Sequence, residues 1–163
     1  MWFFDADAVD DHLGQSTGID WCDVSRDPSA EFPTIVLRER VRLSDTDSSG
    51  LIFWGAVPLW LTRAQAELWL ALGFRQEGLG PSPMMPVVNA NLSYHASLRL
   101  GDAYELRCWI DEAGRTSLTV GFEVVLAGQI CVSARMTHVH LDPTTNRPAS
   151  LPDAMVGAAR VTR

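Results

Sequence analysis

The chain contains one polar turn with two carboxylates, Ser44-Asp45-Thr46-Asp47-Ser48-Ser49-Gly50-Leu51-Ile52-Phe53-Trp54, which joins two apolar segments of different period. Before it, residues 35–43 alternate apolar and polar side chains, as a half-buried strand does. After it, residues 57–72 are apolar around most of a helical circumference, with Pro58 in the first turn and Gly73 just past the end. Such a helix is usually buried, so the turn places charge at the edge of a core.

Two other interpretations compete with a catalytic role for the turn. Residues Asp45, Asp47, Ser49, Gly50 and Ile52 match the start of an EF-hand calcium loop, but Ala56 stands where a bidentate glutamate is required and a strand, not a helix, precedes the loop. Alternatively, an aspartate here only hydrogen-bonds the local backbone. We accept that role for Asp45. For Asp47 the rest of the chain favours catalysis.

The remainder of the chain has the pattern of an antiparallel sheet. Four runs rich in β-branched and aromatic residues alternate with period two, over residues 87–94, 103–110, 117–126 and 129–141. The last two are joined only by Ala127-Gly128, which predicts a hairpin. One strand, one long helix and four antiparallel strands predict an α+β architecture, with a single sheet wrapped around a buried central helix. This is the order of a hotdog fold.

Several segments in this order resemble the 4-hydroxybenzoyl-CoA thioesterase family, including the acyl-CoA thioesterases associated with the Tol–Pal cluster. They are Asp45-Thr46-Asp47 with Gly50, Thr62-Arg63-Ala64 with Ala66-Glu67, Ala71-Leu72-Gly73-Phe74, Tyr94 to Asp102, Arg115 to Leu118, and Val139 to Pro143 followed by Arg147-Pro148 and Leu151-Pro152. The resemblance covers roughly residues 35 to 152 and is collinear, which is more specific than any single motif.

The resemblance implies a thioester hydrolase that acts on acyl- or aroyl-CoA. Asp47 would be the nucleophile or general base, and the backbone N–H of Trp54, before the helix, would be the oxyanion donor. The expected substrate-binding residues are Gly50, Phe53, Asn89, Asn91, Tyr94, His95, Arg99 and Arg115. Relatives usually carry His or Tyr at the Trp54 position, Asn and an aromatic at Ala56 and Val57, and an acid at Thr62. These changes predict a more apolar acyl pocket and altered acyl specificity.

No cofactor is expected beyond the coenzyme A of the substrate, and no metal. The polyanionic coenzyme needs local positive charge, for which Arg99, Arg115, Arg135 and Arg147 are candidates because a guanidinium donates two hydrogen bonds at once. Arg115 is favoured by its position before a strand start. His138 and His140 share a strand face but lack a third ligand, which favours a surface or interface pair over a metal site.

A sheet wrapped on one helix leaves exposed edges, and pairing these edges between subunits is the usual remedy. We therefore expect a homodimer or homotetramer, and by resemblance an active site at the interface, with Asp47 from one chain and residues 89–94 from the other. Two alternatives remain open: release of an acyl chain from a carrier protein, and a non-catalytic hotdog protein that binds an acyl thioester.

Charge is concentrated at the N-terminus. Residues 1–31 contain eight of the 20 acidic residues against Arg26 alone, so the remainder is balanced, and lysine is absent. This argues against nucleic-acid binding. An acidic start and the lack of a long apolar run predict a cytoplasmic protein without a membrane span. Three cysteines without metal spacing predict reduced thiols.

These patterns predict an acidic extension over residues 1–33, a hotdog domain over 34–155 and a tail over 156–163. The extension has the composition of a loop with a short helix near residues 5–13. Its Trp2, Phe3, Phe4 and Trp21 are too apolar for a solvated tail, so we expect them to dock on the core or on a neighbouring subunit. A deletion of residues 1–30 that changed neither stability nor oligomer size would exclude this.

Overall fold

The structure, a computed structural model, describes residues 22–27, 29–74 and 83–162. Its elements are, in chain order, β1 (Cys22–Arg26), β2 (Thr34–Arg40), a 3-10 turn (Leu43–Asp45), α1 (Ala56–Ala71), β3 (Val87–Tyr94), β4 (Ala103–Ala113), β5 (Ser117–Leu126), β6 (Gln129–Val139), α2 (Asp153–Gly157) and β7 (Val161–Thr162). Within this part of the chain the sheet order is β1-β2-β4-β5-β6-β3 with antiparallel neighbours, and β7 forms a short parallel pair with β4. The α+β hotdog prediction is confirmed.

One face of the sheet packs against α1 and forms the core. Alternate residues of β4 and β5 are buried there, because successive side chains of a strand point to opposite faces. The helix contributes Trp60, Leu61, Ala64 and Leu68, each at most 1% exposed, and lies mainly over β4 and β2. This packing fixes the helix N-terminus near the end of β2, where the polar turn begins.

Helix α1 begins and ends within one residue of the predicted bounds. The N–H of Gly73 donates to the carbonyl of Leu70 at 3.0 Å, and the N–H of Phe74 donates to Trp69 at 2.9 Å. With φ of +89° at Gly73, this is a Schellman C-cap. The Arg26 guanidinium of β1 also donates to the Ala71 carbonyl, at 2.6 Å, so the edge strand is tied to the end of the helix.

In a single chain α1 is buried on one face and exposed on another. Leu61 is fully buried, whereas Leu59 is 69% exposed and Leu70 is 48% exposed. The sequence predicts a buried helix because its circumference is mostly apolar. In the isolated chain, the other described elements bury only part of the helix surface.

The β5–β6 hairpin has the predicted two-residue loop, with positive φ at Ala127 and Gly128 as a type I′ turn requires. Three short elements were not predicted: β1, α2 and β7. The first of them lies where a loop was expected, and its five residues pair with β2. The expected helix near residues 5–13 and the docking of Trp2, Phe3, Phe4 and Trp21 fall outside the described residues.

Cys108 and Cys131 are buried free thiols, as the sequence indicated. Across the described ranges, no helix combines the length and apolar character that crossing a membrane would require.

Candidate active site

The polar turn is held by its own backbone in a compact loop after β2. Thr46 bridges Ile52, and the N–H of Asp47 donates to the Leu51 carbonyl at 2.9 Å. The N–H of Gly50 returns to the Asp47 carbonyl at 3.0 Å, which closes a four-residue turn. Gly50 has φ of +75°, a conformation that strains residues with a side chain. The glycine of the motif therefore has a structural role in holding Asp47.

The two aspartates of this turn make different bonds. Asp45 Oδ2 accepts the backbone N–H of Arg42 at 2.9 Å, which confirms the local structural role assigned to it. Asp47 Oδ1 accepts both the N–H of Ser49, at 2.7 Å, and the Ser49 hydroxyl. Asp47 is exposed, and no hydrogen bond to its Oδ2 is formed among the described residues, although the Leu51 N–H lies close enough to the carboxyl to help lower its pKa. One oxygen is thus used in an Asx-type turn and the other is open.

Hydrogen bonding holds the Asp47 carboxyl in its ionised form. The Ser49 hydroxyl is the main cause that lowers its pKa below the usual aspartate value, and the Ser49 N–H adds to it. Both donors stabilise the negative charge. A carboxylate that is ionised at neutral pH meets the first requirement of a nucleophile or a general base.

The backbone carbonyls of Phe53 and Trp54 are both hydrogen-bonded, which holds the segment before α1. The Phe53 carbonyl accepts the Ala56 N–H at 2.9 Å, and the Trp54 carbonyl accepts the Tyr94 hydroxyl at 2.8 Å. The Trp54 N–H has no acceptor within the described part of the chain. It lies just before α1, where unpaired N–H groups and the helix dipole favour negative charge. This is the donor that the resemblance assigned to an oxyanion.

An open pocket of about 240 Å³ lies beside this amide. Its lining residues are Ile52, Trp54, Tyr94, His95, Ala96 and Ser97. The ring of Trp54 is 70% exposed, and His95 Nε2 lies 2.8 Å from the Ser133 hydroxyl. The single chain therefore brings together three predicted site residues, Trp54, Tyr94 and His95. Asp47 lies on the adjacent turn and does not line this pocket.

Phe53 and Gly50 lie next to this group. The Phe53 ring is 44% exposed and packs edge-on against the Trp54 indole, with 5.6 Å between centroids. The Gly50 carbonyl accepts the N–H of Leu100 at 3.1 Å, and Leu51 forms a bridge with Arg99. Arg99 is exposed and is the candidate cation beside the Asp47 turn.

The two asparagines of β3 lie apart from the Trp54 pocket. Asn91 is paired with Arg135 of β6, and Asn89 with Thr137, beyond a bulge after Val87. Asn91 lines a second pocket of about 320 Å³, which also includes Trp109 and Arg135. In a single chain this register therefore separates Asn91 from Trp54, and the substrate contacts of Asn89 and Asn91 stay predictions.

The other candidate arginines are not at the Trp54 end of the sheet. Arg115 lies two residues before the start of β5, whereas Tyr94 pairs with Val132, which pairs with Val124 near the opposite end of that strand. Ser117 and Val124 are seven positions apart on β5, which corresponds to roughly 20 Å along the strand. Arg147 lies in the loop after β6, at the Arg115 end, and Arg135 is paired with Asp111 at 2.7 Å. A phosphate-binding role for Arg115 remains a prediction, because a single chain does not bring Arg115 close to the Trp54 pocket.

His138 is buried, so the expectation of a surface or interface histidine pair was wrong. Its side chain is 1% exposed, its Nδ1 lies 3.0 Å from the Met85 carbonyl, and Nε2 has no partner among the described residues. Burial lowers the pKa of this imidazole below the usual value. No cluster of three metal-ligating side chains occurs in the described ranges.

Two residues shape the site in ways that the sequence alone did not indicate, Ser49 and Pro58. Ser49 holds the catalytic candidate, and an aspartate followed two residues later by serine is the usual signal of such a turn. Pro58 lacks an N–H, so the Trp54 carbonyl four residues earlier has no helical donor. That vacancy could have pointed to a side-chain donor, which is Tyr94.

Comparison with known proteins agrees with the fold. A 1,4-dihydroxy-2-naphthoyl-CoA hydrolase of Synechococcus sp. (strain CC9605) is 27% identical over 130 residues, 76% of this chain and 87% of the relative. The structure of a 1,4-dihydroxy-2-naphthoyl-CoA thioesterase from Synechocystis superposes with a TM-score of 0.68 at 21% identity, over 77% of this chain and 94% of that one. A DHNA-CoA thioesterase from Staphylococcus aureus gives a TM-score of 0.62 at 21% identity, over 71% and 79%. The sequence model of the thioesterase-like superfamily matches residues 12–159, and the chain belongs to that superfamily.

Proposed function

We propose that this protein hydrolyses a coenzyme A thioester, with Asp47 as the catalytic carboxylate and the Trp54 N–H as the oxyanion donor. The observation that supports it most directly is the Trp54 amide, which has no acceptor among the described residues and belongs to a residue that lines a pocket. Membership of the thioesterase-like superfamily supports the same reaction.

The proposed reaction needs few groups because a thioester is already activated. The substrate carbonyl oxygen accepts the Trp54 N–H, which stabilises the negative charge that forms on that oxygen. Asp47 Oδ2 either attacks the carbonyl carbon or takes a proton from the attacking water. The carbon–sulfur bond then breaks, and the products are a carboxylic acid and free coenzyme A. In the nucleophilic route, water hydrolyses the acyl-enzyme anhydride.

An aromatic or medium-chain acyl group fits the described pocket better than a small one. Trp54 and Tyr94 present ring surfaces at its mouth, and Ile52 and Ala96 add apolar area. The relatives named above act on 1,4-dihydroxy-2-naphthoyl-CoA, an aromatic thioester. We therefore infer that aroyl-CoA substrates are the first to test, alongside acyl-CoA.

A second copy of the chain would complete the site. Asp47 is exposed in one chain and lies outside the Trp54 pocket, and β3 is an edge strand whose residues are nearly all exposed. Pairing of two β3 edges would extend the sheet and cover the exposed face of α1. In this proposal the substrate lies between Asp47 of one subunit and β3 of the other.

The test is a panel of aroyl- and acyl-CoA thioesters with a thiol-detecting reagent, run in parallel with acyl-carrier-protein thioesters. The proposal expects release of free coenzyme A. Saturable ligand binding without thiol release would instead identify a thioester-binding protein. Turnover restricted to the carrier-protein substrates would move the function to acyl release in biosynthesis.

A further inference from the structure

The carbonyl of Trp54 stands at a point where the helix cannot satisfy it. In an α-helix a carbonyl accepts the N–H of the residue four positions later, and for Trp54 that residue is Pro58, which has none. Gly55 already has helical dihedral angles, φ −74° and ψ −10°, so the chain enters the helix immediately after Trp54. Trp54 is 70% exposed, so its carbonyl can be paired by water or by a donor from another element of the fold.

Tyr94 supplies that donor from another element. Its hydroxyl lies 2.8 Å from the Trp54 carbonyl, although the residues are 40 positions apart in sequence. The last residue of β3 is thereby tied to the segment before α1. Burial raises the pKa of Tyr94 above the usual tyrosine value, so the hydroxyl keeps its proton at neutral pH.

The bond restricts the direction of the free amide. Trp54 Cα joins two peptide groups, and the structure holds both of them: the Phe53 carbonyl by the Ala56 N–H at 2.9 Å, and the Trp54 carbonyl by Tyr94. The Phe53 N–H is also fixed, at 2.8 Å from the Asp45 carbonyl. With these three groups fixed, the peptide groups on both sides of Trp54 Cα are held, and with them the orientation of the Trp54 N–H in a residue that lines the pocket. An oxyanion donor is effective when it is oriented before charge develops.

We propose that Tyr94 is a positioning residue for the oxyanion donor: its hydroxyl takes the place of the N–H that Pro58 lacks and holds the Trp54 amide in its catalytic direction. This role rests on the proposed thioesterase function and goes beyond the lining role expected from resemblance. It also links the donor to β3, the strand at the open edge of the sheet.

The test compares Tyr94→Phe with the wild type on two acyl-CoA substrates of different acyl group. Loss of the hydroxyl alone is expected to lower kcat about threefold to tenfold, by a similar factor for both substrates, with little change in KM. Tyr104→Phe is the matched control, because it removes the other tyrosine hydroxyl of the chain, which lies 3.5 Å from Glu39 in the core. The control should keep the wild-type kcat.

Other outcomes separate this inference from the proposed function. An unchanged kcat in Tyr94→Phe, or a change confined to KM or to one acyl group, would reduce Tyr94 to a pocket-lining residue. If the wild type shows no turnover with any thioester, the proposed function fails instead. Selective ¹⁵N labelling of tryptophan then gives a readout without activity: a shifted or broadened Trp54 backbone amide in Tyr94→Phe supports the positioning role, and an unchanged amide contradicts it.

Discussion

At the scale of single residues, the two oxygens of Asp47 have different environments. Oδ1 accepts two bonds from Ser49, and Oδ2 forms no hydrogen bond among the described residues. The turn therefore has two roles: it forms local backbone structure, and it orients an ionised carboxylate oxygen. Sequence alone separates Asp45 from Asp47 only by resemblance, because both occur in a turn where an aspartate commonly bonds the backbone.

The arginine beside this turn should bind the coenzyme A portion of the substrate. Arg99 is exposed, its backbone bridges Leu51, and its N–H donates to Asp102 at 2.8 Å. We expect Arg99→Ala to raise KM for coenzyme A thioesters about threefold to tenfold with kcat unchanged, since one charge-assisted contact is lost at an exposed site. Steady-state kinetics measure this, with Arg107→Ala as the control of equal charge. Equal KM values for the two variants would exclude a specific role for Arg99.

His138 should make the stability of the fold depend on pH in the range of histidine. Burial lowers its pKa in the folded state below the usual histidine value of 6.5, so between these two pKa values an unfolded chain binds a proton that the folded one does not. The stability that depends on a neutral His138 is therefore expected to be complete above about pH 6.5. The free energy of unfolding should decline as pH falls from there toward the folded pKa. Urea unfolding at a series of pH values measures the slope. A His138→Asn variant should be flatter between pH 5 and about 7, and an identical slope would refute the assignment.

At the scale of elements, the best predictions are those that depend on local chemistry. Helix α1 was placed within one residue because Pro58 and Gly73 mark its first turn and its C-cap. The loop of the β5–β6 hairpin was predicted to the residue from Ala127-Gly128, whereas β6 ends at Val139, two residues before its predicted end, and a bulge between Val124 and Val125 shifts the register. Strand β1 was missed because Cys-Asp-Val-Ser-Arg is short and largely polar, and it forms a strand only where β2 offers an edge.

One buried ion pair joins a strand to the helix. The carboxylate of Glu39 on β2 is 3% exposed and lies 3.0 Å from Arg63 of α1. Removal of this cation takes away the shortest ion pair of a buried carboxylate, whose other neighbours include Arg42 at 3.8 Å and the Tyr104 hydroxyl at 3.5 Å. We expect Arg63→Ala to lower the free energy of unfolding by about 2 to 3 kcal/mol. Urea unfolding measures it.

The control for this pair is Arg38→Ala. Arg38 forms a more exposed pair with Glu105 at 3.2 Å, and such pairs contribute about 1 kcal/mol or less. If the two variants lost the same stability, the Glu39–Arg63 pair would have no special part in holding α1.

At the scale of the whole molecule, the sequence predicted the architecture but not which side chains lie on which face of the sheet. The α+β hotdog class followed from the order of periodic segments, which is a property of the entire chain. Which side of the sheet carries Asn91 depends on the register of β3 with β6, and a bulge between Val87 and Asn89 shifts that register. Because a slip of one residue reverses every side chain of a strand, such contacts could not be derived from local patterns.

A charged substitution on the edge strand β3 should affect oligomerisation, whereas one on the edge strand β1 should not. Val88 on β3 is 59% exposed and Val24 on β1 is 44% exposed, at opposite ends of the strand order. If subunits pair through β3, Val88→Asp is expected to give monomers and Val24→Asp to keep the wild-type mass, because a buried unpaired charge opposes association. Light scattering after size exclusion measures this. A monomeric wild type, or dissociation by Val24→Asp alone, would contradict pairing at β3.

The central claim is that the Asp47 carboxylate performs the chemistry. The most direct measurement is kcat for Asp47→Asn on an active coenzyme A thioester, beside Asp45→Asn, whose amide oxygen can still accept the Arg42 N–H. The account predicts a loss of at least about 100-fold for Asp47→Asn and near wild-type kcat for Asp45→Asn. Retention of activity in a folded Asp47→Asn variant would contradict it.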